Sequence, residues 1–165
     1  MRYLMRQKLW SLGDDFTIRD DTGRDAFYVD GKVWTLRQTL LLQDMQRNEL
    51  ARIQQKLLSL GPTYEIYRGA QLAAVVRQHL FTLLHTKFTV DVPGPDDLEA
   101  AGNFTAHDYT FTRAGREVAT VSKRWFTLTD TYAVDIAPTE DAILLLAAAV
   151  VIDMCTSPDQ KTHAH

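Results

Sequence analysis

Residues 142 to 152 read Ala-Ile-Leu-Leu-Leu-Ala-Ala-Ala-Val-Val-Ile, set between Asp141 and Asp153 with no polar residue among them. Upstream, Pro138-Thr139-Glu140-Asp141 has the chemistry of a helix start. Thr139 can accept from an orphan amide, and the two acids face the positive end of the helix dipole. Eleven helical residues would span only about 17 Å, short of the roughly 20 apolar residues that cross a bilayer. The stretch therefore reads as a helix near residues 140–154 that is not transmembrane. Apolar on every face, it has no side to turn to water and must be enclosed by the rest of the chain.

What precedes it is a series of short segments rich in Phe, Tyr, Val, Ile and Thr, broken by turn residues, the pattern of a β-meander. Phe16-Thr17-Ile18 leads through Asp20-Asp21-Thr22-Gly23 into Ala26 to Val29. Tyr64 to Tyr67 leads through Arg68-Gly69 into Leu72 to Val76, and Tyr109 to Phe111 through Ala114-Gly115 into Val118 to Val121. The hairpins belong to an internal repeat. Lys8, Lys32, Lys56, His79 and Lys123 are followed two residues later by Trp10, Trp34, Leu58, Phe81 and Trp125. Eight or nine residues after each basic position come Phe16, Leu40, Tyr64, Phe88 and Tyr132. Two beyond those come Ile18, Leu42, Ile66, Val90 and Val134. The starts lie 24, 24, 23 and 44 residues apart; the last gap is close to two periods, and a degenerate unit around Phe104 and Tyr109 fills it.

A period of 24 residues holds two strands and two turns, so six units imply about twelve strands. An open sheet of that size would curl or split, and closure removes both edges. A twelve-stranded barrel leaves a lumen too wide for strand side chains alone, and the apolar helix is its natural filling. The fold predicted is mainly β: a closed antiparallel barrel of about twelve strands around a central hydrophobic C-terminal helix. Residues 1–155 form one domain on this reading, and 156–165 a frayed polar tail. Leu40 to Leu60 could be helical by propensity, but the repeat makes it a hairpin turning near Gln46-Arg47-Asn48. After Pro93-Gly94-Pro95, Asp97 to Ala101 reads as one helical turn or an edge strand.

The phrases Gln55 to Leu60 with Pro62 to Tyr67, and Ser122-Lys123-Arg124-Trp125 with Asp130 to Ile136, resemble the LURP-one-related family. So do Gln7-Lys8, Ser11 to Asp14, Gly31-Lys32-Val33 and the apolar helix ending in Asp153, over residues 3 to 155 in all. The resemblance implies a fold like that of the tubby C-terminal domain and the phospholipid scramblases, a twelve-stranded barrel around a hydrophobic C-terminal helix. No catalytic activity is established for that family, so the resemblance implies none in particular. Tubby relatives bind phosphoinositide head groups, but their lipid-binding residues find no matching motif in this chain.

Composition sets the remaining bounds. With 45% hydrophobic and 24% charged residues, a net charge of −3 and a pI near 5.9, the chain has the make-up of a globular protein. That charge argues against nucleic acid as a partner. One cysteine excludes an internal disulfide, and no N-terminal apolar run resembles a signal peptide, so the cytoplasm is the expected compartment. Asn103-Phe104-Thr105 is then a sequon without a glycan. No phosphate loop, dinucleotide glycine motif, nucleophile elbow or zinc helix occurs, and no cofactor is expected. His79, His85 and His107 fall in different units and read as isolated strand or turn residues rather than as a metal site. Asp20, Asp21 and Asp25 around Gly23 lack calcium-loop spacing and read as a polar turn. Cys155, after the buried helix, reads as an inert, partly buried thiol. Ser122 and Lys123, adjacent on a strand, point to opposite faces and cannot form a dyad.

The functional lead lies in the repeat. One phase of a two-strand repeat falls at one end of an up-and-down barrel, which should gather Lys8, Lys32, Lys56 and Lys123 at a rim, with Arg6, Arg77 and Arg124 near. Such a ring could bind phosphate-bearing head groups or a nucleic-acid backbone. In the competing reading Asp14, Asp30, Asp44 and Asp130 neutralise the lysines one by one. The Trp10, Trp34 and Trp125 phase reads as barrel packing rather than a base-stacking or membrane-interface belt. The expected function is a non-catalytic binding or scaffolding domain, its partner an anionic membrane lipid or another protein. The alternative is a small hydrolase or transferase with its site in a barrel-end loop, around Asp91 to Asp97 or at Asp130. A protein-interaction module is the remaining possibility.

Overall fold

The computed structural model of the chain describes residues 1–6, 15–34, 37–82, 85–123 and 131–156, with the backbone alone at 32–34, 81, 82 and 85. Alternating apolar and polar residues produce β1 (Arg2–Arg6), β2 (Phe16–Asp20), β3 (Asp25–Trp34), β4 (Gln38–Gln43), β5 (Glu49–Gln55) and β6 (Thr63–Arg68). They continue as β7 (Gln71–Thr82), β8 (His85–Asp91), β9 (Leu98–Asn103), β10 (Asp108–Arg113), β11 (Arg116–Ser122) and β12 (Thr131–Ile136), before helix α1 (Ala142–Thr156). Each strand pairs antiparallel with the next, and β12 returns to β1 through Arg2↔Asp135 to Arg6↔Thr131. The result is a closed up-and-down barrel with no free edge.

The repeat becomes two inward rings. Phe16, Leu40, Tyr64, Phe88, Tyr109 and Tyr132 form one, and Ile18, Leu42, Ile66, Val90, Phe111 and Val134 the other, all of them buried on the even strands. Facing them across the ladder are smaller residues on several odd strands, as at Leu42↔Ala51, Ile66↔Ala74 and Phe88↔Ala100. Helix α1 fills the space they enclose. It packs against β5, β6 and β7 on one side and β12 on the other. In the ring order β6 and β12 are diametrically opposed, so a helix that touches both lies in the lumen. Leu144 through Met154 are buried without a break, with Ala147, Ala148 and Ala149 at the waist.

Three local readings are corrected. Asp97 to Ala101 is neither a helical turn nor an edge: Leu98–Asn103 is an interior strand paired on both sides. The helix cap is Asp141 rather than Thr139, its Oδ1 accepting from Leu144 N at 3.2 Å. Thr139 is spent in a turn closed by Glu140 N donating to Ala137 O at 3.0 Å. The helix also runs beyond Asp153, through Cys155 to Thr156, which the sequence assigned to the tail; residues 157–165 lie outside the described residues. The turn between β4 and β5 and the hairpin at Phe104 to Tyr109 fall where the repeat puts them.

Candidate functional site

In this barrel the two ends differ in what the chain puts there. Connections leaving the even strands gather at one end, with the start of α1; connections leaving the odd strands gather at the other, with the end of α1. Lys32 sits near the end of β3, Lys56 just past β5 and Lys123 just past β11, so their backbones share the odd-strand end. Arg6, the last residue of β1, joins them and is exposed. Lys8 and Arg124 lie outside the described residues.

Arg77 reaches the same level, in register with Thr63, whose carbonyl accepts from Lys56 N, but its charge is engaged. It stands within β7, and its guanidinium forms an ion pair with Asp91 on the outer wall. Lys56 is exposed, and no carboxylate lies within ion-pair distance of it among the described residues. Asp44, one of the acids read as a neutraliser, is at the opposite end. There it caps its own turn, accepting from Gln46 N and Asn48 N at 2.9 Å and from Asn48 Nδ2 at 2.8 Å. The Asn48 amide hydrogen bonds hold its carboxyl below the usual range. Asp15 accepts from Tyr28 Oη and from Gly31 N. Asp30 stands two residues before Lys32 in β3. Asp14 and Asp130 lie outside the described residues.

Beneath this end the lumen is shut by a polar pair that sequence reading missed. Asp153, in the last turn of α1, is 3% exposed, and its Oδ1 is 2.7 Å from Nε2 of His107, which is 4% exposed. A carboxylate at a helix C-terminus faces the negative end of the dipole, and a buried one needs a partner. His107 supplies it from the β9–β10 turn, which is fixed by His107 N donating to Phe104 O at 3.1 Å and Ala106 N to Asn103 Oδ1 at 3.1 Å. His107 takes the left-handed φ of 51°, a region histidine tolerates better than most residues. Its ring stacks on Tyr132 at 4.4 Å between centroids. Burial first, then the neighbouring Asp153 carboxylate, pushes the hydroxyls of Tyr132 and Tyr109 well above the ordinary tyrosine range. At the far end Arg68 donates to Asp141 at 2.6 Å and Arg113 to Glu140 at 2.8 Å, so both ends of the helix are tied to the wall.

The groups proposed for other chemistry are in structural use. Asp91 holds Arg77, and Asp97 accepts from Val92 N at 3.0 Å within its loop. His79 Nε2 is 2.9 Å from Thr89 Oγ1, and among the described residues no three His, Cys, Asp or Glu side chains converge on a point that could hold a metal. Asp20 Oδ1 accepts from Thr22 N and Arg24 N at 2.9 and 3.0 Å, the polar turn expected of it. Among the described residues no helix is long and apolar enough to cross a membrane.

The tryptophan reading falls on side chains outside the described residues, and what is visible of that phase is Leu58. Leu58, its member in the third unit, is fully exposed beyond the end of β5 instead of packing in the barrel. Trp10 and Trp125 lie outside the described residues, and of Trp34 only the backbone is described.

Two comparisons bear on the whole chain. A family model described as LURP-one-related matches residues 1–153. An uncharacterised protein of Bacillus subtilis, YxjI, is 31% identical over 156 residues, which cover 94% of each chain. No solved structure matches.

Proposed function

The chain belongs to the LURP-one-related family, and on that premise we propose that it is a non-catalytic binding domain whose odd-strand end docks on anionic phospholipid head groups at the cytoplasmic face of a membrane. Lys32, Lys56 and Lys123 are the binding residues, with Lys8 and Arg124 expected from the repeat to join them. One observation carries the reading. Three lysines spaced across 91 residues of sequence have backbones at the same pole of the barrel because each lies near or just past the end of an odd strand, while Asp44 caps a turn at the other pole. A net charge of −3 gives no general attraction to phosphate, so binding would have to come from this local asymmetry. A lysine near an anionic bilayer contributes on the order of 1 kcal/mol, and several are needed to hold a domain there.

Co-sedimentation with phosphatidylcholine vesicles containing increasing phosphatidylglycerol tests the proposal. The bound fraction should rise with anionic lipid and fall with salt. Lys56→Gln combined with Lys123→Gln should weaken binding about 30-fold, two such contributions being lost. Binding indifferent to both anionic lipid and salt removes the proposal.

A further inference from the structure

Leu57, Leu58 and Leu60 lie in the connection between β5 and β6, directly after Lys56. Leu58 and Leu60 are fully exposed and Leu57 is 45% exposed. Leu80, near the end of β7, is 68% exposed. It belongs to the same end, because Gln78 N donates to Pro62 O at 3.1 Å and brings β7 against this loop. Single exposed leucines are ordinary, but four on one loop and its neighbouring strand are a patch. The remaining large exposed apolar residues among those described, Met1, Met45 and Leu72, are spread over three strands or turns at the opposite pole.

The loop is held in shape. Lys56 N donates to Thr63 O at 2.8 Å across its base, and Ser59 Oγ donates to Lys56 O at 3.2 Å and lies 3.0 Å from Gly61 O. Within that frame Leu58 adopts φ of 60°, the left-handed region that a bulky aliphatic residue rarely enters. Gly61 shares it at 81°, where no side chain resists. A strained leucine pointing at water, in a loop otherwise satisfied by its own hydrogen bonds, calls for a partner outside the chain.

We infer that Leu57, Leu58 and Leu60, with Leu80 beside them, form a tip that enters the apolar edge of an anionic lipid leaflet while Lys56 stays at the level of the phosphates. The inference rests on the docking proposed above and names the bilayer itself, rather than a soluble phosphate ligand, as what this end binds. The make-up of the patch points to that occupant. It is a short connection between β5 and β6 with exposed leucines and no acidic residue between Lys56 and Thr63, and it shares its pole with the strand ends that carry Lys32 and Lys123. A fluid surface can mould around such a loop and meet both its leucines and its lysines, whereas a protein partner would have to supply a pocket for each.

The test uses the full-length chain. Leu58→Cys gives a site for an environment-sensitive fluorophore, and Met45→Cys gives a control at the opposite pole. The native Cys155 is largely buried, with its thiol pushed up to about 12, and a Cys155→Ala background removes any labelling there. With phosphatidylcholine vesicles containing phosphatidylglycerol, the probe at 58 should shift to the blue and be quenched by spin-labelled acyl chains, and the probe at 45 should do neither. Leu58→Ser with Leu60→Ser should weaken vesicle binding roughly ten-fold or more without altering the thermal melt, since neither side chain is packed. Four results overturn the inference. Retained affinity in the serine variant, with loss in the lysine variant, would leave the head-group reading standing alone. An unshifted probe on bound protein would place the leucines outside the bilayer. Self-association of the wild type that the serine variant abolishes would assign the leucines to a second copy of the chain. Absence of binding by the wild type to any vesicle would remove both readings. Equal binding to neutral and anionic vesicles, lost in the serine variant, would support insertion while ending the head-group reading.

Discussion

Asp153 shows how far a single residue can be read from its neighbours. It interrupts an apolar run, so it looks like the point where a helix meets water, yet Met154 and Cys155 continue the apolar character and α1 continues with them. That continuation was the available signal; the partner was not, because His107 is 46 positions away and occupies a turn with no distinctive spacing. The physical consequence is a hydrogen bond sealed from solvent, with His107 Nδ1 buried and unpartnered among the described residues. Removing one member leaves the other stranded, so Asp153→Ala should cost about 3 kcal/mol. The double-mutant cycle with His107→Ala is the sharper measurement. Any strain from alanine at φ of 51° occurs in both backgrounds and cancels, leaving a coupling of about 2 kcal/mol or more in urea unfolding. Strict additivity would mean that the two side chains are neighbours without being partners.

At the level of elements, α1 and the hairpins were legible for different reasons. The helix announces itself by having no polar face, the hairpins by a repeat that returns the same aromatic and aliphatic positions to the lumen. What stayed hidden depended on context. Leu98–Asn103 has weak strand character, with Glu99, two alanines, a glycine and an asparagine, and becomes a strand because β8 and β10 leave a gap of one strand between them. Gly102 fits there because a Cβ would come within 2.6 Å of Asp108 O. The cap moved from Thr139 to Asp141 because the carboxylate serves two partners at once, the Leu144 amide and Arg68. Because both inward rings close on α1, the wall has no core of its own. A chain ending after Ala137 should therefore lose its cooperative thermal transition and bind a hydrophobic dye. A sharp melt from that truncated chain would show that the strands can collapse on one another without the helix.

For the whole molecule, closure was legible because a strand count near twelve leaves few other ways to dispose of two edges. The functional end was legible only as a tendency: the repeat could say which residues share a pole, but not that Arg77 would be taken by Asp91 or that Leu58 would face outward. The lumen also carries three tyrosines, Tyr64, Tyr109 and Tyr132, on even strands at the end where the helix finishes. All three have hydroxyls raised by burial above the ordinary value of 10.0. The sign of their effect on stability follows from where the proton is held. Below about pH 10 both folded and unfolded chains keep the phenols neutral, and the contribution is fully present. As pH rises past that value the unfolded chain gives up three protons that the folded barrel retains, and each retained proton removes about 1.4 kcal/mol of stability per pH unit. Cys155, raised to about 12, acts in the same direction from a little lower pH. Unfolding free energy measured in urea should therefore be nearly flat in this respect up to pH 9 and fall by on the order of 4 kcal/mol per unit above pH 10. Replacing Tyr109 with Phe should lower that slope by about a quarter to a third, since one of the three or four retained protons is gone. A stability that stays level from pH 9 to 11 would mean that the phenols reach water, and that the end of the barrel above Asp153 is open rather than sealed.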